Sequence, residues 1–184
     1  MTLSSPVDRK HIHTREINCF GYERKDGLWD IEGQIRDIKT YSFNNEDRGK
    51  IQSGTPVHNM LVRLTVDNDL NIYSAEASIE SSPFGICPNI ASSVANLKGL
   101  KITSGWAKSV KDKIGSVKGC THITQLLIGP LATTAYQTII PLKNSRQNNK
   151  SPATRPAIID TCYGWSAHGP IVKRTWPKYY EGSE

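Results

Sequence analysis

Two stretches of the chain alternate apolar and polar side chains with the period of a β-strand. Leu28-Trp29-Asp30-Ile31-Glu32-Gly33-Gln34-Ile35 does so strictly, and Glu16 to Tyr22 more loosely. Between them, Arg24-Lys25-Asp26-Gly27 supplies an Asp-Gly turn, so Arg15 to Phe43 predicts a β-hairpin. Phe43 to Thr55 is polar and reads as a loop. His58 to Val66 predicts a further strand, with Met60, Val62, Leu64 and Val66 on its apolar face. Asp67-Asn68-Asp69 turns the chain, and Asn71 to Ile79 predicts the returning strand. There Ile72 and Ser74 fall on one side and Tyr73, Ala75, Ala77 and Ile79 on the other.

The period then changes. After the breaker-rich Pro83-Phe84-Gly85-Ile86-Cys87-Pro88, helices are predicted over Asn89–Leu97, Trp106–Ile114 and Thr121–Ile140. Pro130 should kink the last of these or split it. Strands first and helices second predict an α+β fold, an antiparallel sheet with helices packed on one face. The expected organisation is a single domain over 1–184: a mobile N-terminus (1–14), antiparallel strands (15–80), a helical half (81–142), a polar linker (143–156) and a C-terminal tail (157–184). Ala157 to Trp165 is expected to add a last strand or an ordered segment.

Composition narrows the class. With 184 residues, 37% hydrophobic and 22% charged, the chain suits one globular domain rather than a disordered segment. No apolar run approaches the roughly 18 residues of a membrane helix. The first twenty residues carry Asp8, Arg9, Lys10, Arg15 and Glu16 without an apolar core, so no secretory signal and a cytoplasmic, reducing setting are expected. The net charge of +6 is spread along the chain without a nucleic-acid motif. A small-molecule partner is therefore expected in preference to nucleic acid or membrane. A homodimer is compatible with the sequence, which does not fix the oligomeric state.

Candidate chemistry lies at the breaks between elements, where a rigid scaffold can converge side chains. His58 opens a strand, Cys87 sits in a turn before a helix, and Cys120 precedes the longest helix with His122 two residues on. Imidazole and thiolate together suit zinc or iron. The spacings of 29 and 33 residues match no local ligand motif. Cys120 at a helix N-terminus favours thiolate, so it reads as a ligand, as a nucleophile, or as a small buried residue. His122 or an acidic residue such as Asp160 would move protons, and His122, Asp160 or Cys162 could instead complete the coordination. Arg15 and Arg24 flank the first hairpin and could clamp a substrate carboxylate, although pairing within the fold is the simpler role. Trp29 suits either the core or a flat substrate. Asp30 and Asp37 occupy strand positions and read as ion-pair partners before general bases.

The stretches His13-Thr14-Arg15, Tyr22 to Asp30, Pro56-Val57-His58-Asn59-Met60, Gly119-Cys120-Thr121-His122 and Asp160 to Trp165 resemble the bacterial Domain of Unknown Function 2889 family, over most of residues 10–170. That resemblance implies a setting in the breakdown of aromatic or acyl compounds. Residues 58–140 more distantly resemble the IscU and NifU iron–sulfur scaffolds: a ligand before a strand like Val62-Arg63-Leu64-Thr65-Val66, a second before a helix ending in a step like Leu97-Lys98-Gly99, and a third opening the final helix. This likeness places His58, Cys87 and Cys120 at the three ligand positions. The scaffolds have Cys-Gly-Asp where this chain has His58-Asn59-Met60. The expectation is one zinc or iron ion, and a lyase or hydrolase acting on a small organic substrate. The alternative is a scaffold that handles iron–sulfur clusters or sulfur.

Overall fold

The computed structural model describes residues 3–146 and 154–182. Four strands, β1 (His13–Glu23), β2 (Trp29–Lys39), β5 (Pro56–Val66) and β6 (Ile72–Ser81), form an antiparallel sheet in the order β1-β2-β5-β6. Between β2 and β5, the segment expected to be a loop carries a short ladder of β3 (Phe43–Asn45) and β4 (Gly49–Ile51). The first turn closes as its sequence demands, with Gly27 at φ 84° and Arg24 N–H donating to the Leu28 carbonyl.

Alternation sets the faces. In β2, Trp29, Ile31, Gly33, Ile35 and Asp37 are buried, while the residues between them are half-exposed. Met60, Val62, Leu64 and Val66 of β5 share that buried face. The returning strand departs from strict alternation: a register shift between Thr65 and Val66 brings Ile72 to the same core as Ala75, and Tyr73 is left exposed. Such a bulge inserts a residue and resets which side chains face inward.

Helices cover one face only. A 3₁₀ segment (Cys87–Leu97) is followed by α1 (Trp106–Ile114) and α2 (Thr121–Leu126). A π-helical stretch, Leu127–Leu131, then leads into α3 (Ala132–Arg146). Pro130 is the cause of that stretch. It has no N–H and its ring would press on a preceding carbonyl, so the helix widens for a turn instead of breaking. The Leu127 carbonyl accepts a 2.9 Å hydrogen bond from the buried Trp106 indole N–H. Gly33 permits close approach of this helix to the sheet, since a Cβ there would lie 3.0 Å from Leu131 Cδ2 and 3.2 Å from Leu126 Cδ1. No helix among the described residues is long and apolar enough to cross a membrane.

The contacts gather the chain into two compact units, Met1–Leu142 and Lys143–Glu184, where the sequence suggested one domain. The second holds α4 (Pro170–Thr175) and its own small core of Ile159, Ala167 and Val172, with Trp165 and Trp176 stacked 5.1 Å apart. Residues 157–162 form turns and Tyr163–Trp165 one turn of 3₁₀ helix, so the strand expected there is absent. Part of the expected 143–156 linker, residues 147–153, lies outside the described residues.

Candidate metal centre

Asp37 ends the buried stripe of β2 with a charge where the pattern would place another apolar residue. It is only 2% exposed. Both neighbouring strands answer it in register: Arg15 of β1 and His58 of β5 are its direct cross-strand partners. Residues directly opposite on one face of a sheet are close enough to interact side chain to side chain. The result is a row, Arg15–Asp37–His58, across three strands at the end of the core. His122, in the first turn of α2, approaches the same carboxylate from the helical layer.

Arg15 grips Asp37 with a fork, Nε donating to Oδ1 and Nη2 to Oδ2, both at 2.7 Å. Its Nη1 donates to Gln125 Oε1 of α2 at 3.1 Å. His58 Nδ1 and His122 Nε2 lie 3.0 and 3.3 Å from the other side of Asp37 Oδ2. His13 Nε2, in the more exposed part of the site, lies 3.2 Å from Oδ1. The two inner imidazoles are tilted 32° to each other, with ring centroids 3.9 Å apart. His58 Nδ1 is fully buried and makes no hydrogen bond. It stands at ion-pair distance from the carboxylate, but in a direction that suits none.

The electrostatics keep both imidazoles neutral. Burial lowers the His58 proton affinity, only partly opposed by Asp37, and Arg15 and His13 lower it further. Burial also lowers that of His122, reinforced by His58. Burial alone would raise the Asp37 carboxyl, but the hydrogen bonds and charge of Arg15, with help from His58 and His122, outweigh it and bring Asp37 to about 2. The site therefore presents one carboxylate and two imidazole lone pairs. Asp37, His58 and His122 offer ligand atoms all within 4.8 Å of one another, a group that could hold a metal ion.

The expected residues are distributed as follows. His58 and His122 come together, with Asp37 rather than a cysteine as the third member. Cys120 sits at the N-cap of α2 with its Sγ 3.9 Å from His122 Nδ1, beside the group and outside it. Cys87 opens the 3₁₀ segment and packs against the main core, so the set His58, Cys87 and Cys120 is not gathered at one point. Arg15 does clamp a carboxylate, that of Asp37. Arg24 holds its own turn through Asp26 at 2.7 Å and Asp30 at 3.2 Å. Trp29 is buried and donates to Asn68 Oδ1 at 3.0 Å, a core position. Asp160 lies in the second unit, where it pairs with Arg155 and accepts the Ala167 N–H at 2.8 Å. Its backbone is left-handed, at φ 64°, so its carboxylate organises a turn. Asp37 as a centre of convergence was not anticipated, although the stripe Trp29, Ile31, Gly33, Ile35, Asp37 already carried the signal.

Two hollows mark the surface of the first unit. One, about 350 Å³, lies on the sheet near Phe20, Leu61 and the Arg63 bridge to Glu32 and Glu76. It holds none of the converging groups. The other, about 720 Å³, is an open groove lined by Lys111, Thr121, Thr124, Gln125 and Ile128. Gln125 joins it to Arg15 and so to the carboxylate.

Residues 13–137 match the family described as "Protein of unknown function (DUF2889)". The chain belongs to that family. The match spans β1 through the first turns of α3 and contains Arg15, Asp37, His58 and His122, while Asp160 falls beyond it. No curated protein and no solved structure matches the chain, and the likeness to iron–sulfur scaffolds gains no support from these comparisons.

Proposed function

We propose that Asp37, His58 and His122 bind one divalent metal ion, zinc or iron, and that this family member is a metal-dependent hydrolase or lyase acting on a small organic molecule. The observation that carries the reading is the buried, unbonded Nδ1 of His58 facing Asp37 Oδ2 beside the lone pair of His122. With the His58 proton on Nε2, the Nδ1 lone pair faces the carboxylate, and the two repel unless a cation lies between them. Two imidazoles and one carboxylate are a common donor set for zinc and for non-haem iron, and they leave coordination positions open. The same set favours a single ion over a thiolate-held cluster.

A bound ion would supply Lewis acidity, polarising a substrate oxygen or activating water. The chain's own groups do the rest. Arg15 fixes the Asp37 carboxylate by two bonds, so the ligand enters with its orientation set. Burial holds His58 and His122 neutral, the state in which imidazole ligates. His13, 3.2 Å from Asp37 Oδ1 and 42% exposed, is placed to pass a proton between the site and solvent. The groove beside Gln125 gives a small substrate room, with Ile128 as its apolar wall. An aromatic or acyl substrate is part of this proposal.

The test is elemental analysis of untagged protein with variants. Wild type should carry about one equivalent of zinc or iron. Asp37→Asn, His58→Gln and His122→Gln should each lose most of it, and Cys87→Ser should keep it. Loss of metal in Cys87→Ser with retention in His122→Gln would show the ligand set to be wrong.

A further inference from the structure

Charge balance at this site leads further, on the assumption that the metal reading holds. The one carboxylate of the group is already paired with Arg15 at 2.7 Å, and an imidazole ligates a metal in its neutral form. Both charges of a divalent ion would then be uncompensated by the protein. In a site where Asp37 is almost fully buried, such an excess calls for an anion from outside. Arg15 is also not saturated. A guanidinium has five N–H donors, and the bonds to Asp37 and Gln125 engage three, leaving two without a partner among the described residues. Its side chain is 38% exposed, so those donors are reachable. Gln125 links this edge to the groove, where Lys111 adds a further positive charge.

We infer that the substrate is an oxyanion-bearing small molecule whose carboxylate or phosphate sits between the metal position and the free edge of Arg15, with its body in the groove beside Gln125. Arg15 thus has two roles. Toward Asp37 it orients a metal ligand, and toward the substrate it supplies the donors that a bound metal cannot. Removing it should therefore weaken anion binding well beyond any loss of metal affinity. A residue needed only for folding would weaken both alike.

The experiment titrates cobalt-loaded full-length protein with acetate, methyl phosphate and uncharged acetamide, following the visible cobalt absorption. Acetate or methyl phosphate should shift the spectrum saturably and acetamide should not. Whichever of the two binds more tightly identifies the anion class. Once loaded with cobalt, Arg15→Gln should bind the anion roughly tenfold or more weakly than loaded wild type, the loss expected of charge-assisted hydrogen bonds. Arg15→Lys, which keeps a charge without the fork, should lose less, and it serves if the Gln variant fails to fold. Equal binding of acetamide and acetate, or wild-type anion affinity in both variants, would overturn the inference while leaving the metal centre standing. Wild-type protein that takes up no cobalt would overturn the metal centre and the inference with it.

Discussion

At the scale of single residues, Asp37 decides most of the behaviour of the site. A carboxylate that is 2% exposed survives only because Arg15 supplies two short, charge-assisted bonds. Its carboxyl is held at about 2 against an ordinary 3.8. The contribution to stability is present above 3.8 and disappears as pH falls through 3.8 toward 2, on the order of 2 kcal/mol in all. The imidazoles act at higher pH. His58 and His122 both sit below 6.5 because burial resists their protonation. The unfolded chain takes up those protons first, so folding is favoured fully above 6.5 and is penalised as pH drops below it. Melting temperatures of metal-free protein should therefore be flat above about pH 6.5, fall toward pH 5, and fall again below about pH 4. Asp37→Asn should shrink the lower step, to which Asp67 contributes as well, its burial outweighed by hydrogen bonds from Asn71 that hold it below its ordinary value. A melting profile that rises between pH 6.5 and 5 would contradict neutral, buried imidazoles.

At the scale of elements, the site depends on how closely α2 lies on the sheet. Gly33 sits in the buried stripe two positions before Ile35, and its missing Cβ makes room for Leu131 and Leu126. Gly33→Ala should overpack this contact and destabilise the fold by roughly 1–3 kcal/mol, read from denaturant melts. It should also weaken metal binding, because α2 carries His122 and would be pushed away from Asp37. Unchanged stability would mean that the leucines give way freely. The same layer shows what the sequence could and could not disclose. Alternation gave β2 and β5 their faces, and the helical period gave α1 its bounds. The pairing of β2 with β5 was not legible. The β3–β4 excursion separates them, so the register that sets Asp37 opposite His58 depends on non-local contacts. Nor could local pattern choose between Cys120 and His122. The cysteine's place at the N-cap drew attention to it, whereas His122, one position inside the helix, is the one aimed at the carboxylate.

At the scale of the molecule, the converging groups, the groove beside Gln125 and the family match all fall within the first compact unit. The main core, from Trp29 through Ile139, lies there too, and the second unit builds its small core from Ile159, Ala167 and Val172. A unit of the second one's size buries too small a share of its surface to be stable alone, whereas the first is of ordinary domain size. A chain ending at Arg146 should therefore fold, melt cooperatively and bind cobalt with the absorption spectrum of the full-length protein. The complementary fragment from residue 147 onward should show no cooperative transition. At cobalt a hundredfold above its dissociation constant, the ion should stabilise the first fragment by about 2.7 kcal/mol, and the full chain by the same amount. A shorter chain that folds but binds cobalt more weakly, or with a different spectrum, would show that the C-terminal unit helps to build the centre. The three side chains that meet at Asp37 would then be only part of it.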